Sequence, residues 1–197
     1  MALEETPRTA PAALPARERI LETAYELFSQ DGVRAVGVDR IIDEAGVAKK
    51  TFYRHFPSKA DLIVAFLDVR RLRWTCDWLQ GEMQALGATP RQRLLAIFDA
   101  FDEWFHRDDF ESCSFIRTLF EVPDRADRIH QEATSQLEFV RKMVEDQASR
   151  AAFRDQEAVA YQIQLLMMGA IVSATRGDLD AAKHARELAQ LLLQNAA

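Results

Sequence analysis

Four basic side chains, Lys49, Lys50, Arg54 and Lys59, fall within residues 45–60, and no acidic residue interrupts them. The whole chain carries a formal net charge of −6, so this positive segment is local. Clustered cations release counterions from phosphates, which makes such a segment typical of a DNA contact. The alternative is a solvated basic face on some other helical protein.

Spacing divides the polar residues of this segment between two roles. At about 100° per residue, Lys50, Thr51 and Arg54 lie opposite the rings of Phe52 and Phe56. Cationic and hydroxyl tips can read base edges in the major groove. The predicted base contacts are Lys49, Lys50, Thr51 and Arg54; the predicted phosphate contacts are Tyr53, His55 and Lys59, with Arg40 in the same DNA-binding set. An ordinary surface lysine is the other interpretation of Lys59.

Catalytic chemistry finds little support in the sequence. The histidines are scattered, and there is no HExxH, GxSxG, glycine-rich phosphate loop or carboxylate pair at metal-ligand spacing. The nearest constellation is His106 and Asp109 close to Cys113. We therefore expect no catalytic residue, no metal ligand and no cofactor.

Cys76 and Cys113 are the only cysteines, too few and too far apart for a CxxC-type metal site or a disulfide framework. We interpret both as buried thiols. Redox sensing is the alternative, and it would require a lowered thiol pKa.

The basic segment requires two short helices to position it. Val38, Ile41, Ile42 and Ala45 recur at three- and four-residue spacing, which predicts a helix over about 38–45 that Gly46 stops. A second helix begins near Lys49, so the turn between them has only a few residues. This arrangement is a helix-turn-helix signature.

The run from Arg17 to Leu62 resembles the DNA-binding domain of TetR-type (tetracycline-repressor-like) transcriptional regulators. The resemblance rests on Arg19-Ile20-Leu21, Ala24, Leu27-Phe28, Gly32, Val38, Ile41, Ala45-Gly46-Val47, Thr51-Phe52-Tyr53, His55-Phe56 and Ser58-Lys59. It implies an N-terminal three-helix domain, followed by a larger C-terminal helical domain for ligand binding and dimerisation. The block from Ser112 to Val122 also resembles the C-terminal domain of one TetR subgroup.

Three positions depart from the family pattern. Gly37 stands where the family often has Ser or Thr, and Ala48 stands where a Ser often caps the recognition helix, which predicts a weaker cap. Lys50 replaces a frequent Gly and adds a cation in the groove. The sequence preference of the family is therefore not expected to transfer.

The composition of the chain and its turn-forming residues predict how it is divided into domains. With 48% hydrophobic residues, the 197-residue chain is long enough for a full core, and no apolar run approaches the roughly 18 residues of a membrane span. We expect a cytoplasmic, all-α protein with no membrane partner. Its predicted parts are a disordered arm over 1–15, a DNA-binding domain over 16–62 and a regulatory and dimerisation domain over 63–197.

Local signals predict how each helix begins and ends. We expect Gly32 to end the first helix as a left-handed cap, and a capping box at Ser58 and Asp61 to start one that continues toward Leu79. Gly81 and residues 87–89 predict a loop. The starts of the later helices are predicted at Thr89-Pro90, at Asp124 with Asp127, and at Asp155.

The last two helices predict a homodimer. The helix over Ala158–Thr175 is apolar on nearly every side, so it needs two partners, its own core and a second copy of the chain. The final helix, after Gly177, carries one stripe of Leu and Ala. As in the family, these two helices would form a four-helix interface. A core helix in a monomer is the alternative.

An effector pocket is expected in the larger domain, where aromatic residues concentrate. A largely apolar or aromatic ligand is implied. The residues expected to line the pocket are Phe101, Trp104, Phe105, Phe115, Phe120, Met143 and Met167. Plain core packing explains each of them equally well.

These observations favour a regulator, a repressor that binds a pseudo-palindromic operator in double-stranded DNA as a homodimer and is released by a small effector. A helical small-molecule-binding protein or enzyme with a vestigial helix-turn-helix is the second hypothesis. A pure protein-interaction bundle is the third, and steep salt dependence of DNA binding would discriminate against it.

Overall fold

The computed structural model of the protein describes residues 14–196. Every regular element in that range is a helix, so the predicted all-α class is confirmed. The predicted arm over residues 1–15 lies outside the described residues, except for Leu14 and Pro15.

Four helices build the N-terminal domain: α1 (Ala16–Asp31), α2 (Val38–Ala45), α3 (Lys49–His55) and α4 (Lys59–Arg70). α1 packs against the other three. The predicted bounds of α2 and the start of α3 are confirmed. Fully buried apolar side chains close this core, among them Ile20, Ala24, Phe28, Ile41, Phe52, Leu62 and Phe66.

Gly32 ends α1, but the predicted left-handed cap is wrong. Its φ of 86° is positive, whereas its ψ of 164° is extended rather than helical. Its N–H still donates to the Phe28 carbonyl at 3.0 Å. A Cβ at this position would lie 2.0 Å from Oε1 of Glu121 in the larger domain, so a larger residue would displace that side chain as well as strain the positive φ.

α4 continues without a break into the larger domain, as predicted, and the expected boundary after residue 62 falls inside it. A π-helical segment (Arg71–Leu79) follows, and α5 (Gln80–Leu86) completes the rod. The loop expected at Gly81 is therefore wrong. Leu79 and Met83 on either side are buried, and this packing outweighs the roughly 1 kcal/mol cost of a helical glycine.

α6 (Pro90–Phe105) begins where the sequence predicted. The Thr89 hydroxyl accepts from the backbone N–H of Gln92 at 3.2 Å, and the Gln92 side chain accepts from the Thr89 N–H at 3.0 Å. This reciprocal capping box is confirmed.

Four further helices complete the larger domain: α7 (Ser114–Glu121), α8 (Arg128–Arg150), α9 (Gln156–Thr175) and α10 (Ala181–Asn195). Asp155 caps α9 as predicted, but α8 is capped by Asp127 alone, since Asp124 accepts from Ala126 in the preceding turn. α9 packs between α8 and α10, and α10 also packs on α6.

Within residues 14–196, only one side of α9 is covered by other helices. An 18-residue window of this helix has a mean hydropathy of 1.4, which suffices by composition to cross a membrane, and 44% of that window is buried. The other side exposes apolar side chains and continues onto α10. The exposed apolar residues of this surface, called here the α9–α10 face, are Tyr161, Leu165, Val172, Leu179, Leu188 and Leu191.

Candidate nucleic-acid interface

The turn between α2 and α3 is set by Gly46. It adopts the left-handed conformation, with φ 61° and ψ 43°, and its N–H donates to the Asp43 carbonyl at 3.2 Å. Val47 then donates to the Ile42 carbonyl at 3.2 Å. A β-branched or bulky residue would be strained at this φ, so the glycine fixes the angle between the two helices.

Arg19 of α1 stabilises this turn through hydrogen bonds to its backbone. Its Nε donates to the Ala45 carbonyl at 3.2 Å, and one terminal nitrogen donates to the Gly46 carbonyl at 3.3 Å. The guanidinium thereby satisfies carbonyls that the end of α2 leaves free, and its charge suits a helix C-terminus. In the sequence, Arg19 stands out only as one of the positions that resemble TetR-type regulators. No local signal could have given its partners, which lie 26 and 27 residues away.

α3 is anchored by its aromatic side. Phe52 is fully buried and Phe56 nearly so, with ring centroids 6.3 Å apart. The Arg17 guanidinium lies 5.2 Å from the Phe56 centroid. As predicted, Ala48 provides no side-chain cap, so these rings rather than capping hold the helix in place.

The opposite side of α3 faces solvent. Lys50, Tyr53 and Arg54 are exposed, while Thr51 and His55 are half-buried. Within residues 14–196, neither Lys50 nor Arg54 forms a hydrogen bond or ion pair. Two long cations thus extend from one helix with their charge uncompensated by the protein.

Two other predicted contacts are already engaged with acids. The Lys49 ammonium lies 3.2 Å from Asp39, which raises the lysine pKa through that hydrogen bond. Arg40 donates to Glu44 at 2.8 Å and to Asp31 at 2.5 Å. Exposed pairs of this kind are weak and exchange partners readily, so both cations remain accessible to phosphate.

Lys59 lies beside this face in the first turn of α4. Its ammonium donates to the Arg34 carbonyl at 3.5 Å, and partial burial lowers the pKa of this lysine. Ser58 caps the helix by accepting from Asp61 N–H, as predicted. The Asp61 carboxylate accepts from the Ser58 hydroxyl and from Arg128, and these hydrogen bonds, with a weaker one from the Ser58 backbone, lower its pKa.

The residues predicted to line an effector pocket do not share one cavity. Phe101 and Phe105 are buried in an aromatic cluster of α6, and Met143 packs at the core's edge. Phe115 and Met167 line an apolar cavity of only about 20 Å³, which is room for about one water. Phe120 is 78% exposed beside a groove of about 510 Å³. Trp104 lines a third cavity, of about 570 Å³.

The constellation near Cys113 is engaged in other contacts. Asp109 forms two hydrogen bonds with Arg107 at 2.7 Å, and His106 contacts the Asp102 carbonyl at 2.8 Å. Cys113 is buried, and burial raises its thiol pKa, which opposes a nucleophilic role. Cys76, expected to be buried, is only partly so.

One group of side chains in residues 14–196, Asp102, His106 and Asp180, has the spacing of a metal site. It is largely exposed, and the Lys183 ammonium already lies 2.7 Å from Asp180 and 3.8 Å from Asp102. This lysine supplies the positive charge that an ion would supply.

Contacts from α7 join the interface to the larger domain. Arg117 donates to the Ser29 and Gln30 carbonyls at the end of α1 and to Glu121, whose other oxygen accepts from the Arg34 N–H at 2.8 Å. We call Arg117 and Glu121 the α7 latch. The sequence offered no signal for the latch beyond an i,i+4 charge pair.

Two family profiles match the chain. The profile described as "Bacterial regulatory proteins, tetR family" matches residues 20–66, and the profile "Tetracyclin repressor-like, C-terminal domain" matches residues 90–189. The second match agrees with the resemblance noted for the Ser112–Val122 block.

Two curated relatives align with parts of the chain. The HTH-type transcriptional activator FasR of Mycolicibacterium smegmatis is 39% identical over 47% of this chain and 41% of its own length. The HTH-type transcriptional repressor KstR of Mycobacterium tuberculosis is 30% identical over 68% of this chain and 57% of its own length. The chain thus spans less than two thirds of either relative.

Solved structures match almost the whole chain. A TetR-family transcriptional regulator from Streptomyces coelicolor has a TM-score of 0.81 and 25% identity, covering 92% of this chain and 95% of its own. A putative regulator of the same type from Streptomyces avermitilis has a TM-score of 0.76 and 27% identity, covering 90% and 99%. With both profiles matched in order along the chain, the protein belongs to the TetR family of DNA-binding transcriptional regulators.

Proposed function

We propose that the protein is a cytoplasmic, homodimeric repressor that binds a pseudo-palindromic operator through α3 and is released by a small, largely apolar effector. The observation that carries this proposal is the pair of exposed, unpaired cations on α3, Lys50 and Arg54. A helix of this shape fits the major groove, where the four base pairs are distinguishable. The wider of the two curated alignments, to KstR, is to a repressor.

The accessible groups suggest how the contacts are divided. Lys50, Thr51 and Arg54, together with Lys49 after it leaves Asp39, would meet base edges. Tyr53, His55 and Lys59 would meet phosphates, which fix register without reading sequence. Arg40, held by two acids, would join them only by exchanging a partner.

The α9–α10 face supports the homodimer. Large apolar side chains are exposed on two helices that pack against each other, and exposed apolar surface of this kind marks interaction sites. A second copy would cover both helices with the same surface, as two-fold symmetry requires. It would also set two α3 helices about 34 Å apart, one turn of duplex, so that both enter the major groove.

Effector control needs a difference in affinity. In one conformation of the dimer the two α3 helices are spaced to engage DNA, and in another they are not. A ligand shifts the protein away from DNA only if it binds the second conformation more tightly than the first. The α7 latch and the continuous rod of α4, the π-helical segment and α5 both join the larger domain to the DNA-binding one. A ligand that moves either element would therefore change the position of α3.

The proposal is tested by binding to DNA from just upstream of the protein's own gene, across a salt series, with a scrambled duplex as control. We expect specific binding whose affinity falls steeply with salt, because several phosphates are engaged. Absent or salt-insensitive binding, on genomic DNA as well, would overturn the proposal.

The dimer is tested by Leu188→Glu, with Gln190→Glu as the matched control. The two exposed positions lie about 160° apart around α10, and only Leu188 belongs to the α9–α10 face. We expect Leu188→Glu to give a monomer in light scattering and to lose operator affinity at least tenfold. Gln190→Glu should keep both properties. An unchanged dimer for Leu188→Glu would place the interface elsewhere.

A further inference from the structure

A cavity of about 570 Å³ lies at the junction of the two domains, and we call it the junction cavity. Its walls come from α1, from the last residue of α4, from the π-helical segment, and from α6 with the loop that follows it. This volume is within the range of small-molecule sites. The lining residues used below are Ser29, Arg70, Trp74, Trp78, Trp104 and Glu111.

Arg70 is the unusual residue of this cavity. It is 8% exposed, and its only hydrogen bond within residues 14–196 goes to the neutral Tyr25 hydroxyl, at 3.1 Å. It forms no ion pair with any described carboxylate. A buried guanidinium without an anion is costly, because water no longer solvates its charge.

The other two arginines that line the cavity are already neutralised. Arg73 binds Glu22 through two hydrogen bonds of 3.0 and 2.6 Å, and Arg107 binds Asp109 through two of 2.7 Å. An anion entering the cavity would therefore find one unmatched positive charge, that of Arg70.

Two further donors in the same walls have no partner. The Trp74 indole N–H and the Ser29 hydroxyl are both buried and form no hydrogen bond in the described part of the chain. Buried polar groups are almost always paired in native proteins. Both atoms are shielded from solvent, however, so they do not face the open cavity, and Arg70 is the lining group whose charge is left unmatched.

The remaining wall is aromatic, with three indole rings tilted toward one another by 47° to 60°. Trp74 and Trp78 have ring centroids 5.3 Å apart, Trp74 and Trp104 are 5.2 Å apart, and Trp78 and Trp104 are 5.7 Å apart. Such a wall favours a planar apolar group, which can stack or pack edge-on.

Glu111 is a carboxyl group in the lining of the junction cavity. Burial raises its pKa, while the charge of Arg70 acts in the opposite direction. Glu111 forms no ion pair with Arg70 within residues 14–196.

We propose that the junction cavity binds a planar aromatic carboxylate, with its anion on Arg70 and its ring against the three tryptophans. An inorganic anion would leave the aromatic wall unused, and a neutral aromatic would leave Arg70 unmatched. The ligand contacts α1 of one domain and α6 of the other, so it fixes their relative position. Only this last consequence, control of DNA binding, rests on the proposed function.

Tryptophan fluorescence provides a local readout, because the three tryptophans of the wall are the only ones in the chain. The purified full-length protein, without DNA, is titrated with benzoate and with trans-cinnamate. Benzamide, which lacks the charge, and inorganic phosphate, which lacks the ring, are the comparison probes. We expect saturable changes with the two carboxylates, at least tenfold tighter than with either comparison probe.

Variants separate Arg70 from its neighbours. Arg70→Gln should weaken carboxylate binding at least tenfold, whereas Arg150→Gln, on α8 and outside the cavity lining, should weaken it less than threefold. Should Arg70→Gln fail to fold, Trp74→Phe replaces one indole of the aromatic wall by a smaller ring. Calorimetry should then show binding weakened by at least threefold. Equal binding of benzamide or phosphate, or unchanged binding in both Arg70→Gln and Trp74→Phe, would overturn the site.

Operator binding is measured separately, with and without saturating carboxylate. A shift of at least fivefold in wild type, lost in Arg70→Gln, supports control of DNA binding through this cavity. Saturable fluorescence binding with no shift would refute that control while leaving the site intact. Failure to bind DNA at all, beside normal fluorescence titrations, would count against the proposed function alone.

Discussion

On α3 the cations Lys50 and Arg54 extend into solvent and form no ion pair within residues 14–196, whereas three cations at the domain junction are held by acceptors. Arg73 is bound to Glu22, and Arg128 donates to Asp61 at 2.7 Å. Arg117 is bound to Glu121 and to the carbonyls that end α1. The first group is available to an external anion, and the second joins elements of the protein.

This contrast separates binding from stability. Removing a free cation takes away no contact within the protein, so the free energy of unfolding should change little. Removing a held cation leaves acceptors without their partner, and that cost falls on the fold. Arg70 lies at the junction but resembles the free group, since no carboxylate matches it.

The largest effect is expected for Arg54→Ala. Losing a contact to a base edge should cost about 1–3 kcal/mol of operator affinity and relax the preference at one base pair. The free energy of unfolding should stay within about 0.5 kcal/mol of wild type. Binding to a set of operators with single substitutions, beside urea denaturation of the free protein, measures both quantities.

Lys59→Ala is the matched comparison for Arg54→Ala. Because Lys59 is proposed to contact a phosphate, its removal should weaken binding to every operator variant alike. It should also reduce the slope of log affinity against log salt by about 1. Equal losses on all sequences for Arg54→Ala as well would show that it meets phosphate and not a base.

A smaller effect, this time on stability, is expected when a held cation is removed. Arg117→Gln releases two carbonyls at the end of α1 and leaves Glu121 with the Arg34 N–H alone, which should cost about 1–2 kcal/mol of unfolding free energy. Arg150→Gln is the control, since its ion pair with Asp146 lies within α8 and joins no two elements. If urea denaturation gives equal losses for the two variants, the latch adds nothing to the fold.

The two groups of cations also differ in how far the sequence predicts them. Gly46 and the apolar spacing of α2 are local signals, so the turn, the start of α3 and the exposure of Lys50 and Arg54 follow from neighbouring residues. The partners of Arg70 and Arg117 lie 45 and up to 88 residues away, and no local pattern specifies them. The predicted pocket residues were dispersed for the same reason. Spacing along α6 shows which rings share a face, but not which helix covers that face.

The smallest effect should follow from freeing a cation that is now weakly held. Asp39→Asn removes the acid that pairs with Lys49, and because both side chains are largely exposed, their pairing contributes little to stability. Loss of one negative charge next to α3 should tighten DNA binding, by less than about threefold, and most clearly at low salt, where screening is weak. Affinity measured at two salt concentrations tests this, with Asp43→Asn on the same helix as the control for a general charge effect. Tightening of the same size in both variants would assign the gain to net charge and not to the release of Lys49.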